Sequence, residues 1–168
     1  MKNILILFGI TMIPAFELRA SIPYGVLSGS LELPFGITVQ GMGLPWLWVF
    51  VVCVISNAIL GTILYPFIDI IICMLERIPL IGRFWRGMVE RTQRRIHPYV
   101  ERWGMLGVAL FIAVPLPGSG SYSGALGAYL LGMSYRRFIL ANAIGVTIAG
   151  IAVTAVTVTG RGIFQLLF

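Results

Sequence analysis

Long runs of apolar residues, broken by proline, glycine and charged residues, dominate this chain. Residues 46–75 and 137–160 each exceed the length of about 20 apolar residues that a helix needs to cross a bilayer. Each follows an apolar stretch, residues 3–31 and 104–133, that is interrupted near its middle and too short on either side to span. The pattern predicts two spanning helices, each preceded by a re-entrant helical hairpin that enters and leaves the membrane on one side.

The two spans carry a repeated sequence. Ser56 to Ile63 and Ala141 to Ile148 share Asn-Ala-Ile and Thr-Ile at the same spacing. Interrupted apolar segments at matching places in two halves of a transporter mark its binding site. Counting crossings orients the halves oppositely, so the hairpin tips are expected to meet at the midplane. Each second limb also has a GxxxG spacing, Gly25 to Gly29 and Gly120 to Gly124, which is typical of helix packing.

Residues 76–103 differ from the rest of the chain by their charge. Seven arginines alternate there with apolar positions at helical spacing, which predicts a basic amphipathic helix in the membrane interface. With Arg136 and Arg137, this side of the membrane holds nine of the twelve basic residues. The positive-inside rule therefore makes it the cytoplasmic side of the inner membrane, and both termini face outward.

The predicted fold is an all-α integral membrane domain over residues 1–168, with an inverted repeat of residues 1–75 and 104–160 around the basic helix. Its composition agrees, because 58% of residues are hydrophobic, 11% are charged and the mean hydropathy is +0.96. Soluble domains are about 25% charged. The net charge of +6 is clustered rather than spread over one face, so nucleic acid is not an expected partner.

Glu17 and Arg19 lie in the interruption of the first hairpin. Ionisable residues in a membrane segment cost about 2.5–3.5 kcal/mol or more and normally face a cavity or a partner. We expect Arg19 to bind an anionic head group and Glu17 to accept a proton or hold a cation; a structural ion pair is the alternative. Pro14 and Pro23 favour a broken helix here. Lys2 and the following apolar run also resemble a secretory signal, with charges in place of its small cleavage-site residues.

The interruption of the second hairpin is uncharged and rich in glycine and hydroxyl groups. Its candidate substrate-binding residues are Pro117, Gly118, Ser119, Gly120, Ser121, Tyr122 and Ser123. A helix that begins there directs N–H groups and these hydroxyls towards a phosphate or carboxylate; the alternative is a turn satisfied by neighbouring helices. A nucleotide P-loop is excluded, because its Gly-Lys-Ser/Thr ending is missing.

Three further polar residues lie within the spans. Asn57 and Asn142 occupy equivalent positions and are expected to bind substrate or to hydrogen-bond between helices. Asp69 is a candidate for proton coupling, with a salt bridge to an interfacial arginine as the alternative.

Catalytic and metal chemistry are not predicted. The serines lack a GxSxG motif, and the single histidine, His97, lies in the basic segment. Cys53 and Cys73 lack a CxxC spacing and are expected to pack in the apolar interior. No enzyme, metal site or cofactor is therefore expected.

Two stretches, Glu17-Leu-Arg-Ala-Ser-Ile-Pro-Tyr-Gly25 and Pro115 to Ala125, resemble the family of small multidrug export proteins, over residues 10–160. That family is distantly similar to the DedA/VTT membrane proteins, as is the stretch from Gly132 to Phe138. The resemblance implies two re-entrant hairpins, an inverted repeat and proton-dependent transport of polyprenyl phosphate or other lipids. The second stretch lacks the arginine usual in DedA proteins, which leaves Arg19 as the hairpin arginine.

These observations predict a membrane transporter that moves an amphiphilic substrate through a midplane site between the hairpins. The favoured substrate is an anionic lipid carrier such as polyprenyl phosphate. One alternative is a proton-coupled small multidrug exporter that recognises cations through Glu17. The other is a non-transporting scaffold or assembly factor that binds membrane lipids or partners through its basic helix. With only two full spans per chain, the sequence is compatible with a homodimer.

Overall fold

The computed structural model describes residues 2–13, 17–33, 37–76, 87, 91, 94, 103–114 and 119–167. These ranges contain α1 (Lys2–Thr11), α2 (Glu17–Val26), β1 (Ser28–Leu33), β2 (Ile37–Met42), α3 (Trp46–Glu76), α4 (Met105–Ala113), α5 (Ser121–Leu130) and α6 (Tyr135–Leu167). Within the predicted basic helix, Gly87, Arg91 and Arg94 are helical and exposed. The remainder of residues 77–102 lies outside the described residues.

The chain divides into two compact units. One consists of Met1–Asn57 and Thr147–Phe168, and the other of Ala58–Val146. The helices α3 and α6 each contribute one part to each unit. Each unit therefore contains one pair of short helices, α1 with α2 or α4 with α5, and parts of both long helices.

In the first unit α1 and α2 pack against each other, with Leu7 of α1 beside Gly25 of α2. The end of α1 at Thr11 and the start of α2 at Glu17 fall where the sequence predicts the first interruption. The sequence predicts a helix broken around Glu17 and Arg19, with Pro23 as one cause. That prediction is wrong for residues 17–26, because α2 is continuous from Glu17 to Val26 with Pro23 inside it. An interior proline removes one helical hydrogen bond and clashes with the preceding turn, and α2 ends within one turn of Pro23, at Val26.

The strands β1 and β2 pair antiparallel as a β ribbon, from Ser28 with Met42 to Leu33 with Ile37. The helix α2 therefore ends at Val26, before the predicted hairpin boundary at residue 31, and Gly29 of the predicted GxxxG lies in β1. The β-branched run at residues 37–39 favours a strand. Glycine and proline around it resemble a loop instead, which is why the pattern does not predict the ribbon.

The helices α3 and α6 contain two segments long and apolar enough to cross a membrane, Trp46–Ile68 and Tyr135–Gly160. The predicted spans fall on these helices. Only 33% and 39% of the two segments are buried inside the protein. Their exposed surfaces carry large apolar side chains, among them Ile55, Ile59, Ile63, Leu140, Ile144 and Ile148. A helix in a soluble core buries such side chains, so these faces suit a lipid environment.

In the second unit α4 packs against α5 and α6. Gly145 of α6 is a point of close approach, because a Cβ there would lie 2.6 Å from the carbonyl oxygen of Ala109. Tyr65 of α3 stacks on Phe138 of α6 with ring centroids 4.6 Å apart and donates its hydroxyl hydrogen to the Met133 carbonyl. These contacts hold the beginning of α6 against α3.

Gly145→Ala should lower the melting temperature of the detergent-purified protein. The added methyl group meets a backbone carbonyl, and overpacking of this kind costs about 1–3 kcal/mol. Gly160→Ala in the same helix is the matched control, because a Cβ there has no neighbouring atom within 4 Å. Equal melting temperatures for the two variants in a thermal scan would contradict the described packing of α4 on α6.

Candidate functional site

Glu17 is the first residue of α2 and has an unusual backbone conformation. Its φ angle is 41°, in the left-handed region that residues other than glycine rarely adopt, and its side chain is only 6% exposed. Ser21, one turn later, donates its hydroxyl hydrogen to the Glu17 carbonyl oxygen over 2.8 Å. Backbone strain of this kind costs about 1–3 kcal/mol and clusters at functional sites. Glu17 is therefore the leading candidate among the charged residues.

Asn57 of α3 donates an Nδ2 hydrogen to Oε2 of Glu17 over 3.4 Å. The Asn57 side chain is 1% exposed, and its Oδ1 has no hydrogen-bond partner within the described residues. A buried acceptor without a donor costs about 1–3 kcal/mol. Two residues predicted as binding residues from separate parts of the sequence are thus brought together, and one of them keeps an unused acceptor.

Three more polar groups adjoin this pair, one from each of α1, α2 and α3. The Cys53 thiol hydrogen-bonds with the hydroxyls of Thr11 and Ser21, and Cys53 lies one turn before Asn57 on the same face of α3. Thr11 also donates its hydroxyl hydrogen to the Leu7 carbonyl over 2.8 Å. The carboxylate cluster is defined as Thr11, Glu17, Ser21, Cys53 and Asn57, which are all buried.

Arg19 lies beside the carboxylate cluster. Its side chain is half-buried, and its guanidinium is attracted electrostatically by the Glu17 carboxylate. Residues two apart on a helix point in different directions, which leaves Arg19 at the margin of the cluster. Glu17 and Arg19, the two charged residues predicted for the first hairpin, therefore interact electrostatically with each other.

Asn142 of α6 is the centre of a second polar group, in the second unit. Its Oδ1 accepts a hydrogen from Ser121 Oγ over 2.9 Å, and its Nδ2 donates to the Ala58 carbonyl of α3 over 3.0 Å. Gly61 makes room for this amide, because a Cβ there would lie 2.5 Å from Asn142 Nδ2. Ser121 begins α5 as Glu17 begins α2. Each long helix thus places an asparagine on the first residue of a short helix.

The other predicted residues of the second hairpin lie around the start of α5. Ser119, Gly120 and Ser123 are buried, and Tyr122 is half-buried. The Ser119 hydroxyl donates to the Val114 carbonyl. Pro117 and Gly118 lie outside the described residues. The hydroxyl hydrogens of Ser119 and Ser121 are therefore used within the protein.

Asp69 lies in α3, three residues after Pro66. Its side chain lies outside the described part of the chain, so its role in proton coupling stays a prediction.

Residues 17–152 match the family described as "Putative small multi-drug export protein". The chain belongs to this family. The match begins at Glu17 and includes Asn57, Ser121 and Asn142. No curated protein and no solved structure is significantly similar to the chain.

Membership of the small multi-drug export family confirms the family resemblance predicted from the two hairpin motifs. The family description names an export protein, which is a kind of transporter. With the two long apolar helices, it makes the chain a membrane protein. The more distant similarity to the DedA proteins stays a prediction.

Three members of the carboxylate cluster, Thr11, Ser21 and Cys53, are not predicted as site residues by the sequence. Cys53 is buried as expected, but it also contacts two hydroxyls. A weak signal is present, since Ser21 and Cys53 each lie four residues from a predicted site residue and so share its helix face. Recognising it requires knowing that these faces of α2 and α3 meet.

Ser121→Ala and Asn142→Ala should each destabilise the protein by about 1–3 kcal/mol, because either change leaves a buried polar group without its partner. The double variant should lose less than the sum of the single losses, since the two side chains bond to each other. Unfolding of the four proteins in detergent measures this coupling.

Thr157→Val is the control for that cycle, because the Thr157 hydroxyl bonds only to Val153 within α6 among the contacts described. Its loss should add independently to that of Asn142→Ala. If the losses of Ser121→Ala and Asn142→Ala were also additive, the side chains would not interact in solution.

Proposed function

We propose that this protein exports amphiphilic cations across the cell membrane in exchange for protons, with Glu17 binding the proton and the cation in turn. The observation that carries the proposal is the buried Glu17 carboxylate, held on a strained backbone by an amide from a long apolar helix. The description of the family as multi-drug export proteins supports the class of transport.

A buried carboxylate suits the exchange of a proton for a cation. In apolar surroundings its charged form is unstable unless positive charge is near, so it favours binding one or the other. A single group that holds either ligand but not both couples their movements. Asn57 lies in the middle of the Trp46–Ile68 segment, which would set the carboxylate near the midplane of the bilayer.

The proposal includes the inverted repeat with re-entrant hairpins. Support comes from the two long helices, where positions 85 residues apart share an environment. The buried pairs are Cys53 with Phe138, Ser56 with Ala141, Asn57 with Asn142 and Gly61 with Val146; the exposed pairs are Ile55 with Leu140, Ile59 with Ile144 and Ile63 with Ile148. The short helices α2 and α5 have 10 residues each, about half the length needed to span.

This topology puts the basic segment in the cytoplasm and the β ribbon outside. Single cysteines replacing Ser28 or Arg94, both exposed, should report it in a variant whose native cysteines are alanine. A membrane-impermeant maleimide should label Ser28→Cys in cells with a permeabilised outer envelope, and Arg94→Cys only after the inner membrane is opened. Labelling of Arg94→Cys behind an intact inner membrane would reverse the proposed orientation.

Glu17→Gln should abolish proton-driven export of a cationic dye by the purified protein in liposomes. The substitution removes the charge and the titratable proton with little change in shape, whereas Glu17→Asp should retain part of the activity. Dye fluorescence and internal pH are followed together after a pH gradient is imposed. Ser56→Ala is the control, because the Ser56 hydroxyl bonds to Val52 in its own helix. Normal dye export and proton movement by the Glu17→Gln variant would refute the proposal.

The half-buried guanidinium of Arg19 favours a second candidate function, transport of an anionic lipid carrier such as polyprenyl phosphate. The N-terminus of α5 would add backbone N–H donors for a phosphate, since Gly120 before it has no side chain to act as a cap. This candidate ranks second for two reasons. Glu17 attracts Arg19 and would repel a phosphate at the same place, and the Ser119 and Ser121 hydrogens are already donated.

The same liposome assay separates the candidates with one further variant. Arg19→Ala should abolish transport of a lipid phosphate and leave export of a cationic dye largely intact. A scaffold without transport activity would move neither substrate, and neutralising Arg91 and Arg94 would harm its function in cells more than Glu17→Gln does.

A further inference from the structure

We infer that α3 has a hinge at Pro66, and that the side chains of Tyr65 and Tyr135 form a latch that holds this part of α3 against the start of α6. The hinge and the latch lie within the second unit, at the end of α3 that the proposed topology puts in the cytoplasm. Their role as a gate for substrate rests on the proposed function, whereas the hinge and the latch themselves do not.

Pro66 leaves a gap in the hydrogen bonding of α3. It lies inside the helix, which continues beyond it to Glu76. Proline has no N–H group, so the Thr62 carbonyl, four residues earlier, lacks its helical donor, and the proline ring crowds the same carbonyl. Bends of more than about 20° in helices occur almost always at such positions. Residues 62–66 are therefore the point at which α3 bends most easily.

Two tyrosine hydroxyls bridge this point to α6. Tyr135, the first residue of α6, donates its hydroxyl hydrogen to the Thr62 carbonyl over 3.2 Å. Membrane helices tolerate proline where a neighbouring helix satisfies the freed carbonyl in this way. Tyr65 makes a bond in the opposite direction, from its hydroxyl to the carbonyl of Met133 in the turn before α6. Each hydroxyl thus reaches a carbonyl that lies outside the regular hydrogen bonding of a helix.

The aromatic rings reinforce the latch on one side of the hinge. Tyr65 stacks on Phe138, and its ring centroid lies 5.8 Å from that of Tyr135. These contacts hold Tyr65 in a helical conformation, which the residue before a proline disfavours. Tyr65 is buried, whereas Pro66 and Phe67 are exposed. Release of the tyrosines would therefore leave the end of α3 free to bend without displacing a packed core.

The equivalent place in the first unit has the contact without the latch. The sequence repeat puts Gly150 at the position of Tyr65 and Phe50 at the position of Tyr135. These two residues also adjoin each other, because a Cβ at Gly150 would lie 3.1 Å from the Phe50 ring. Neither has a hydroxyl, and Ile151 occupies the position of the proline. The tyrosine hydroxyls thus accompany the proline, which a role in packing alone does not explain.

Bending at the hinge would move the end of α3 by a useful distance. A helix rises about 1.5 Å per residue, so the part from Pro66 to Glu76 is about 15 Å long. A bend of about 20° displaces its end by about 5 Å. An exporter takes up its substrate from the cytoplasm, and release of the latch would open the protein at that end.

Hydrogen–deuterium exchange of the full-length, detergent-purified protein tests the inference, read by mass spectrometry on peptides that cover α3 after Pro66. Tyr135→Phe should speed exchange there about fivefold, because it removes one hydrogen bond that opposes opening. Pro66→Ala restores an N–H donor for the Thr62 carbonyl, so in that background Tyr135→Phe should change exchange by less than about twofold. Thr62→Val is the control, because the Thr62 hydroxyl bonds to Ala58 in its own helix and the carbonyl remains.

Tyr65→Phe keeps the test decisive if Tyr135→Phe fails to fold. It retains the stacked ring and removes the bond to Met133, so exchange after Pro66 should again be about fivefold faster. Unchanged exchange in the Tyr135→Phe and Tyr65→Phe variants would overturn the inference. So would an equal effect of Tyr135→Phe with proline and with alanine at position 66, which would make Tyr135 a packing residue alone.

The exchange measurement uses no substrate and no pH gradient, which separates its outcome from that of the proposed function. Coupling between positions 66 and 135 in a protein that exports no dye would support the latch and refute the proposed exchange of protons and cations. Proton-driven dye export that requires Glu17, in a protein without this coupling, would do the reverse.

Discussion

The contact between Glu17 and Asn57 joins the first residue of a short helix to the middle of a long one and so ties α2 to α3 in the first unit. A left-handed φ of 41° at a glutamate persists only if its surroundings hold it. Those surroundings are the Ser21 bond to the Glu17 carbonyl, the Asn57 amide and the close packing of α1 on α2. A buried carboxylate whose partners come from separate helices thus links the local strain at Glu17 to the tertiary fold.

Asn57 and Asn142 occupy equivalent positions in the two long helices but differ in how fully their side chains are hydrogen-bonded. Asn142 uses its Oδ1 and its Nδ2 in hydrogen bonds of ordinary length, to a serine and to a backbone carbonyl. Asn57 makes one long bond and leaves its oxygen unpaired within the described residues. A fully satisfied buried amide stabilises a fold. An incompletely satisfied one beside a carboxylate retains capacity for a ligand, which is why the proposed exchange of protons and cations is assigned to the first unit.

The sequence predicts the features that depend on local pattern and misses those that depend on which surfaces meet. Apolar runs reveal α3 and α6, and the cost of a charge in such a chain identifies Glu17. The β ribbon is missed because glycine and proline obscure a short alternation. The continuity of α2 through Pro23 is missed because an interior proline usually kinks or breaks a helix. Cys53 joins the carboxylate cluster only through the approach of α1 and α2 to α3, a long-range contact that periodicity does not encode.

Cys53 has a consequence of its own, because its thiol has no exposed surface and touches a hydroxyl from each of two other helices. A water-soluble thiol reagent reaches it only while α1, α2 and α3 have separated. Its rate of modification, taken as the difference from a Cys53→Ala protein, therefore times the opening of the carboxylate cluster. This native thiol therefore allows separation of the three helices to be followed without an introduced labelling site.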